Sequence, residues 1–347
     1  MAPNEFDLTT KAGVHQAMLH LAAECTLDPL RFVQIAFPWG KGTLAGFSGP
    51  DTWQTKRLVS LRDSLQSGAA WHDVIQKATS AGHGVGKSCL VAWLILWALC
   101  TFPDTRGVVT ANTESQLRTK TFAEVAKWHG LCLFKDWFTC SAMSIASKQK
   151  GHDKTWRFDA IPWSESKPEG FAGLHNAGRR ILVIFDEASA ISDAIWEVTE
   201  GALTDQNTQI FWLCFGNPTR STGRFFDCFH KFRHRWDPMY VDARDAAGTD
   251  KKKIEEWRED YGEDSDFFRV RVRGVFPNAS SMQFIPRNLA DEAGTRALPH
   301  VDYTRMVAII GLDVARFGDD RSVMVTRFGL DARSFKRKKF SGLDGFD

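Results

Sequence analysis

Apolar positions recur at helical spacing from Lys11 to about Glu24, which predicts an N-terminal helix. The breakers between Phe37-Pro38-Trp39-Gly40 and Pro50 predict a loop, and Thr52 to Leu65 reads as a second helix that opens on Trp53-Gln54. From Asp73 the pattern changes. Val74, Ile75 and the small polar run to Ser80 predict a strand, followed by a Gly-rich turn and a long buried helix from Ser88 to Cys100. Gly107 to Asn112 (GVVTAN) is a short apolar strand, with an amphipathic helix from Glu114 to Trp128 behind it. RILVIF (180–185) and QIFWLCF (209–215) are apolar on both faces, as strands in the middle of a parallel sheet are. A strand-like stretch follows near Met239 to Asp242, then a charge-dense solvated helix from Lys251 to Glu263 and a helix-like stretch from Asn288 to Gly294. MVAIIGLDV (306–314) and SVMVTRF (322–328) read as two further strands around a Gly-Asp-Asp turn. Strands alternating with helices predict an open α/β sheet covered by helices on both sides. The expected division is a helical segment over 1–66, the sheet core over 67–250, a charged helical linker over 251–300 and the start of another domain over 301–347.

Composition narrows this only a little. The 347 residues are 43% hydrophobic and 25% charged, which is globular and excludes a disordered chain. With 44 basic against 42 acidic residues there is no general basic coat, so any nucleic-acid contact must come from local patches such as Arg220 to Arg235 and Arg269 to Arg273. The seven cysteines form no CxxC pair, which argues against a zinc ribbon or a disulfide framework and suits a reducing compartment. The longest apolar run, Leu90 to Cys100, is 11 residues, against the ~20 that a membrane span needs. Residues 1–10 lack the features of a signal peptide, so a soluble intracellular protein without membrane contact is expected.

The chemistry is concentrated in a few motifs. Ser80 to Ser88 reads SAGHGVGKS, where a phosphate loop has G-x-x-x-x-G-K-[ST] between a strand and a helix. Gly86, Lys87 and Ser88 fit, while Ala81 stands at the first glycine position. Backbone N–H groups of Gly82, His83, Gly84, Val85 and Gly86 can wrap a phosphate at a helix N-terminus. Lys87 would reach the β- and γ-phosphates and the Ser88 hydroxyl would ligate Mg²⁺. RILVIFDE (180–187) is a buried strand ending in two acids, at the strand edge where α/β sheets bind ligands. Asp186 would hold the Mg²⁺ shell, and Glu187 would orient or deprotonate the attacking water. Asn217, after QIFWLCF, could sense loss of the γ-phosphate, and Gln54 could present its amide to adenine. Together these motifs predict an NTPase. Near the C-terminus, Asp313 lies in an apolar strand and Asp320 follows its turn, as at the start of a two-metal phosphodiester hydrolysis site; a hairpin capped by its Asp residues is the simpler alternative.

The whole set resembles the large subunit of tailed-phage terminase, the DNA-packaging motor. The resemblance is carried by FPWG, PDTWQ, SAGHGVGKS, VVTANTESQLRTKT, FAGLH, LVIFDEAS, FGNPTRSTGRFFD, YGEDSDFFRVRVRGVFP and GLDVARFGDDRS, in that order along nearly the whole chain. It implies a P-loop NTPase of the additional-strand, catalytic-glutamate type, with a parallel-rich sheet flanked by helices, followed by the first strands of an RNase H-like nuclease. By matching positions, Gln54 resembles the adenine-contacting Gln, Gly86, Lys87 and Ser88 the phosphate loop, Asp186 and Glu187 the Mg²⁺ and catalytic acids, and Gly216-Asn217-Pro218 the coupling motif. Asp313 and Asp320 resemble the first nuclease ligands for Mg²⁺ or Mn²⁺. The implied partners are double-stranded DNA, the terminase small subunit and the portal of a procapsid, with a pentameric ring of this chain, ATP as fuel and the host bacterial cytoplasm as location.

Two departures stand out. Many family members carry an Arg four residues before the loop Lys, and this chain has His83 there, which is only partly charged at neutral pH. Only 34 residues follow Asp313, whereas an RNase H-like domain needs on the order of 100. The expectation is therefore a chain that stops early in the nuclease, either as a piece or as a shortened prophage relic, without competent DNA cleavage. Residues from about 301 are expected to pack on the ATPase domain, pair with another chain or be disordered. The competing readings are another nucleic-acid-dependent NTPase of the helicase or repair kind, and a non-catalytic remnant that binds DNA or motor subunits.

Overall fold

The computed structural model describes residues 6–68, 71–164, 174–278, 292–296, 305–315, 321–329, 331–332 and 334–340. The chain divides into two compact units, Met1–Met282 and Gln283–Asp347.

The first unit opens with three helices, α1 (Lys11–Glu24), α2 (Pro29–Ala36) and α3 (Thr52–Gln66). Asp51 caps α3 in a reciprocal box, with the Gln54 side chain accepting from the Asp51 backbone N–H at 2.9 Å. Strand β1 (Ile75–Ala81) runs into the Gly-rich turn and α4 (Lys87–Thr101). β2 (Arg106–Thr110) leads to a helical run made of α5 (Glu114–Gln116), a π-helical turn (Leu117–Thr121) and α6 (Phe122–Leu131). Three short strands follow, β3 (Phe138–Cys140), β4 (Ser144–Ser147) and β5 (Arg157–Ala160). β6 (Arg180–Asp186), α7 (Asp193–Ala202), β7 (Gln209–Gly216), α8 (Arg224–Phe229) and β8 (Asp237–Val241) complete the sheet.

The strand order is β3-β4-β5-β2-β6-β7-β1-β8, parallel from β5 to β8, with β3 and β4 added antiparallel at one edge. β7 is inserted between β1, which feeds the Gly-rich turn, and β6, which ends in the acids. Neighbouring residues of the central strands go to opposite faces. Leu182, Ile184, Phe211 and Leu213 join the core that holds α4 and α6, while Ile181, Val183, Ile210 and Trp212 join the core under α7 and α8. Helix α4 is apolar all round because it is covered all round: Leu90 to Thr101 are buried without a break.

The helices and strands expected at 11–24, 52–65, 75–80, 88–100, 107–112, 180–185 and 209–215 are all present to within a residue or two. The charged segment expected as a linker is part of the first unit instead. α9 (Lys251–Tyr261), α10 (Asp266–Phe268) and a second π-helical turn (Arg269–Arg273) bury Ile254, Phe268 and Val272 in the α4 core. Most of the stretch expected as a helix over 288–294 lies outside the described residues.

In the second unit, β9 (Ala308–Asp313), β10 (Ser322–Phe328) and β11 (Lys338–Phe340) form an antiparallel sheet in the order β11-β10-β9. Among the described residues no helix is long and apolar enough to cross a membrane.

Candidate nucleotide site

The turn after β1 can wrap because its glycines take conformations that other residues resist. Gly84 and Gly86 have φ of +73° and +89°, in the left-handed region. A Cβ on Gly82 would meet the Val272 carbonyl oxygen at 2.3 Å. That close approach is how the turn is held from behind. The Gly82 N–H donates to Val241 O at 3.0 Å, the His83 N–H to Arg271 O at 2.8 Å, and the Ser80 hydroxyl to Gly274 O at 2.7 Å. From the other side, α3 reaches over. The Trp53 indole N–H donates to Val85 O at 3.0 Å and the Gln54 amide to Gly86 O at 3.1 Å.

Lys87, the first residue of α4, donates to Asn217 Oδ1 at 3.1 Å and, at 3.4 Å, to Gly82 O. Asn217 in turn donates to Ala81 O at 2.6 Å, so the end of β7 touches both the loop and its lysine. Burial pulls the Lys87 ammonium below its ordinary value; Glu187 and then Asp186 act against that pull without cancelling it. Asp186 is buried at the end of β6, and burial raises its carboxyl above the usual range. Its Oδ2 accepts from the Thr121 hydroxyl at 2.7 Å and its Oδ1 from the Glu187 N–H at 3.1 Å. Glu187 sits at φ +52°, a left-handed backbone that costs a non-Gly residue roughly 1–3 kcal/mol and is typical of functional positions.

These groups fit a magnesium-bound nucleoside triphosphate. Of the N–H groups expected to wrap a phosphate, those of Gly82 and His83 are spent on Val241 O and Arg271 O, which leaves Gly84, Val85 and Gly86 as the cradle, and a buried, destabilised carboxylate is one that a cation would relieve. Among the described residues no cluster of three His, Cys, Asp or Glu gathers to hold a metal. Beside the loop lies a cavity of about 520 Å³, lined by Trp39, Phe47, Gln54, Gly84, Trp93 and Trp128 among others. The indole N–H of Trp93 has no partner among the described residues.

The structure thus brings together Gln54, the loop Gly82 to Ser88, Asp186, Glu187 and Asn217. Gln54 differs in posture from the expectation: it is 5% exposed, and its amide bridges the α3 cap and the loop rather than standing free for a base. Partial burial, and then Lys87 and Arg271, keep His83 below the ordinary histidine range. Three contributors were not legible. Thr121 reaches Asp186 from a π-helical turn, which shifts side chains out of α-helical register. Trp53 holds the loop through its indole N–H on a backbone oxygen, and the 241–274 strap through its backbone carbonyls, contacts that no sequence pattern marks.

Asp313 ends β9 opposite Val323, and its side chain is exposed, so the buried acid expected there to demand a cation is not found. Asp320 lies outside the described residues, as do Phe171, Ala172 and Gly173 of the FAGLH motif.

Fold and motif together define the class: an α/β fold of the P-loop kind in which an additional strand separates the loop strand from the acid strand. In sequence and in fold the chain is similar to the large subunits of phage terminases. It is 26% identical over 321 residues to the probable terminase large subunit of enterobacteria phage P7, covering 88% of this chain and 62% of that protein. Its fold resembles that of the large terminase of bacteriophage HK97, with a TM-score of 0.53 at 16% identity, over 87% of this chain and 64% of the other. The chain therefore spans less than two thirds of the length of either relative. No family model matches it.

Proposed function

We propose that this chain is the ATP-hydrolysing part of a motor that moves double-stranded DNA, of the terminase kind. The observation that carries the reading is the convergence around the inserted strand β7. Lys87 comes from α4, Asp186 and Glu187 from β6, and Asn217 from the end of β7 itself.

On this reading the triphosphate lies along the N–H groups of Gly84, Val85 and Gly86, those of Gly82 and His83 being taken by Val241 O and Arg271 O, with the Lys87 ammonium on its β- and γ-phosphates. Ser88 and Asp186 would hold Mg²⁺, which supplies neutralisation of charge on the phosphate oxygens. Thr121 and the Glu187 N–H keep the Asp186 carboxylate turned toward the site. Glu187 orients the attacking water and takes its proton. The aromatic cavity takes the planar base. Asn217 loses or keeps its lysine contact as the γ-phosphate comes and goes, and β7 passes that change to α8. DNA is contacted through its backbone, because a motor must be indifferent to sequence. The partners that go with this reading are a small terminase subunit, the portal of a procapsid and further copies of this chain in a ring.

The test is steady-state ATP hydrolysis with and without duplex DNA, wild type beside Glu187→Ala. The variant should turn over ~10²-fold or more slowly while still binding nucleotide. No hydrolysis by either protein would overturn the reading in favour of a non-catalytic remnant.

A further inference from the structure

Two basic stretches far apart in the chain, Arg220 to Arg235 and Arg269 to Arg273, meet in the fold. Their meeting point is Phe276, buried beside the edge strand β8. The Arg269 guanidinium donates to Phe276 O at 3.0 and 3.2 Å, which fixes its direction. The His230 and Tyr240 rings lie 5.7 and 6.4 Å from the Phe276 ring, and His230 stacks on Phe226 at 3.7 Å. Burial raises the Tyr240 phenol, and Arg233 and Arg269 both act against that rise, as cations do only from nearby. Next to them, Lys231 lies over the Phe232 ring at 4.9 Å. Not every cation here is available, since Glu200 binds both Arg224 and Arg235. Lys231 and Arg233 are exposed and have no carboxylate partner among the described residues.

We propose that this face, with Lys231, Arg233, Tyr240 and Arg269 as its contacts, binds the phosphate backbone of duplex DNA; the proposal rests on reading the chain as a DNA-moving ATPase. The choice of a duplex over a single strand follows from the rings. Stacking of successive bases needs several open aromatic faces. Here Tyr240 is 46% exposed and His230 is exposed but has one face already stacked on Phe226, while Phe225, Phe229 and Phe276 are buried. What is left is a group of cations around Tyr240, Arg269 held by Phe276 O and Lys231 resting on Phe232, suited to phosphates. Both halves of the face are also tied to the nucleotide site. The first descends through α8 from Asn217, which touches Lys87. The second holds the phosphate loop through the Arg271 carbonyl and the His83 N–H, 2.8 Å apart.

The test is binding of a fluorescent duplex of random sequence to the full chain across roughly 50 to 200 mM salt. The proteins compared are wild type, Lys231→Ala with Arg233→Ala, and a control with the same charge change on α9, Lys252→Ala with Lys253→Ala. Each lost phosphate contact removes about 0.9 from the slope of log affinity against log salt, so the first pair should flatten it by about 1.8. The control should keep the wild-type slope, and DNA-free ATP hydrolysis should be unchanged in both. Equal losses in the two variants, no loss in the first, or preferential binding of a single strand would each overturn the proposal. Loss of duplex binding in a protein that never hydrolyses ATP would support the face while removing the motor reading, so the two fail separately.

Discussion

At the edge of the sheet, Arg57 and Lys77 share Asp237; at its centre, Lys87 faces Asp186 and Glu187. Both clusters bury positive charge, and they treat it differently. Arg57 is 2% exposed and donates to Thr79 Oγ1, Ala78 O and both the carbonyl and carboxylate of Asp237. Lys77 is held by Asp237, Ser60 and Ser64. Burial works to raise the Asp237 carboxyl, and the Ser60 hydroxyl with Arg57 and Lys77 outweighs it, leaving the acid below its usual range. Every strong donor there has an acceptor. Lys87 instead has one amide oxygen at 3.1 Å and one carbonyl at 3.4 Å, and Asp186 stays buried with its carboxyl raised. The closed cluster fixes α3 to β1 and β8, and α3 carries the Trp53 and Gln54 contacts that hold the loop. The open cluster leaves its charges for a ligand. A fold that must hold a phosphate loop still can thus put the rigidity one strand away from the chemistry.

The contrast can be broken most directly at Lys87. Lys87→Met should lower ATP turnover about 10²–10³-fold, as removal of a charge-stabilising donor does. It should leave the melting temperature without ligand no lower than wild type, because a poorly paired buried cation contributes little to stability. At the closed cluster the expectation reverses. Asp237→Ala strands two cations and should cost roughly 2–3 kcal/mol in urea unfolding. That is less than a fully buried pair costs, because the Asp237 side chain is 45% exposed.

A smaller effect belongs to Thr121. Thr121→Val removes the hydroxyl from Asp186 and should raise the Mg²⁺ concentration needed for half-maximal turnover about tenfold. Thr121→Ser should restore it, which a packing role for the methyl group would not allow. The smallest is a pH effect. His83 is held below the ordinary histidine value of about 6.5. The unfolded chain therefore binds more protons just below that pH, and stability falls as pH drops through the window. Urea unfolding at pH 5.5 and 7.5 should show a weaker drop in His83→Asn.

What could be read in the sequence is what the central sheet makes obvious. β6 and β7 are buried on both faces, so RILVIFD and QIFWLCFG carry continuous apolar runs, and the loop between β1 and α4 carries its own signature. β3, β4 and β5 escaped because FTC, SIAS and RFDA are three or four residues long and half polar, as an edge permits. α2 escaped because it has only eight residues, although Asp28 and Pro29 mark its start. In the site, Lys87, Asp186, Glu187 and Asn217 were legible because each ends or begins a recognisable element. The strap from Val241 to Gly274 was not. It meets the loop through carbonyl oxygens across some 190 residues of chain, at the separation between Ser80 and Gly274. The charged appearance of 251–263 points to solvent, and the buried residues Ile254, Phe268 and Val272 that anchor this region are too sparse to show a period.

The most direct measurement is thermal melting of wild type, Glu187→Gln and Lys87→Met with Mg²⁺ and ATP, the slow Glu187→Gln protein keeping the ligand intact. At a nucleotide concentration about 100 times its dissociation constant, Glu187→Gln should gain roughly 2.7 kcal/mol of stability, while Lys87→Met gains little at the same concentration. Equal stabilisation of Lys87→Met, or none of Glu187→Gln, would contradict a triphosphate site built on the loop and its lysine.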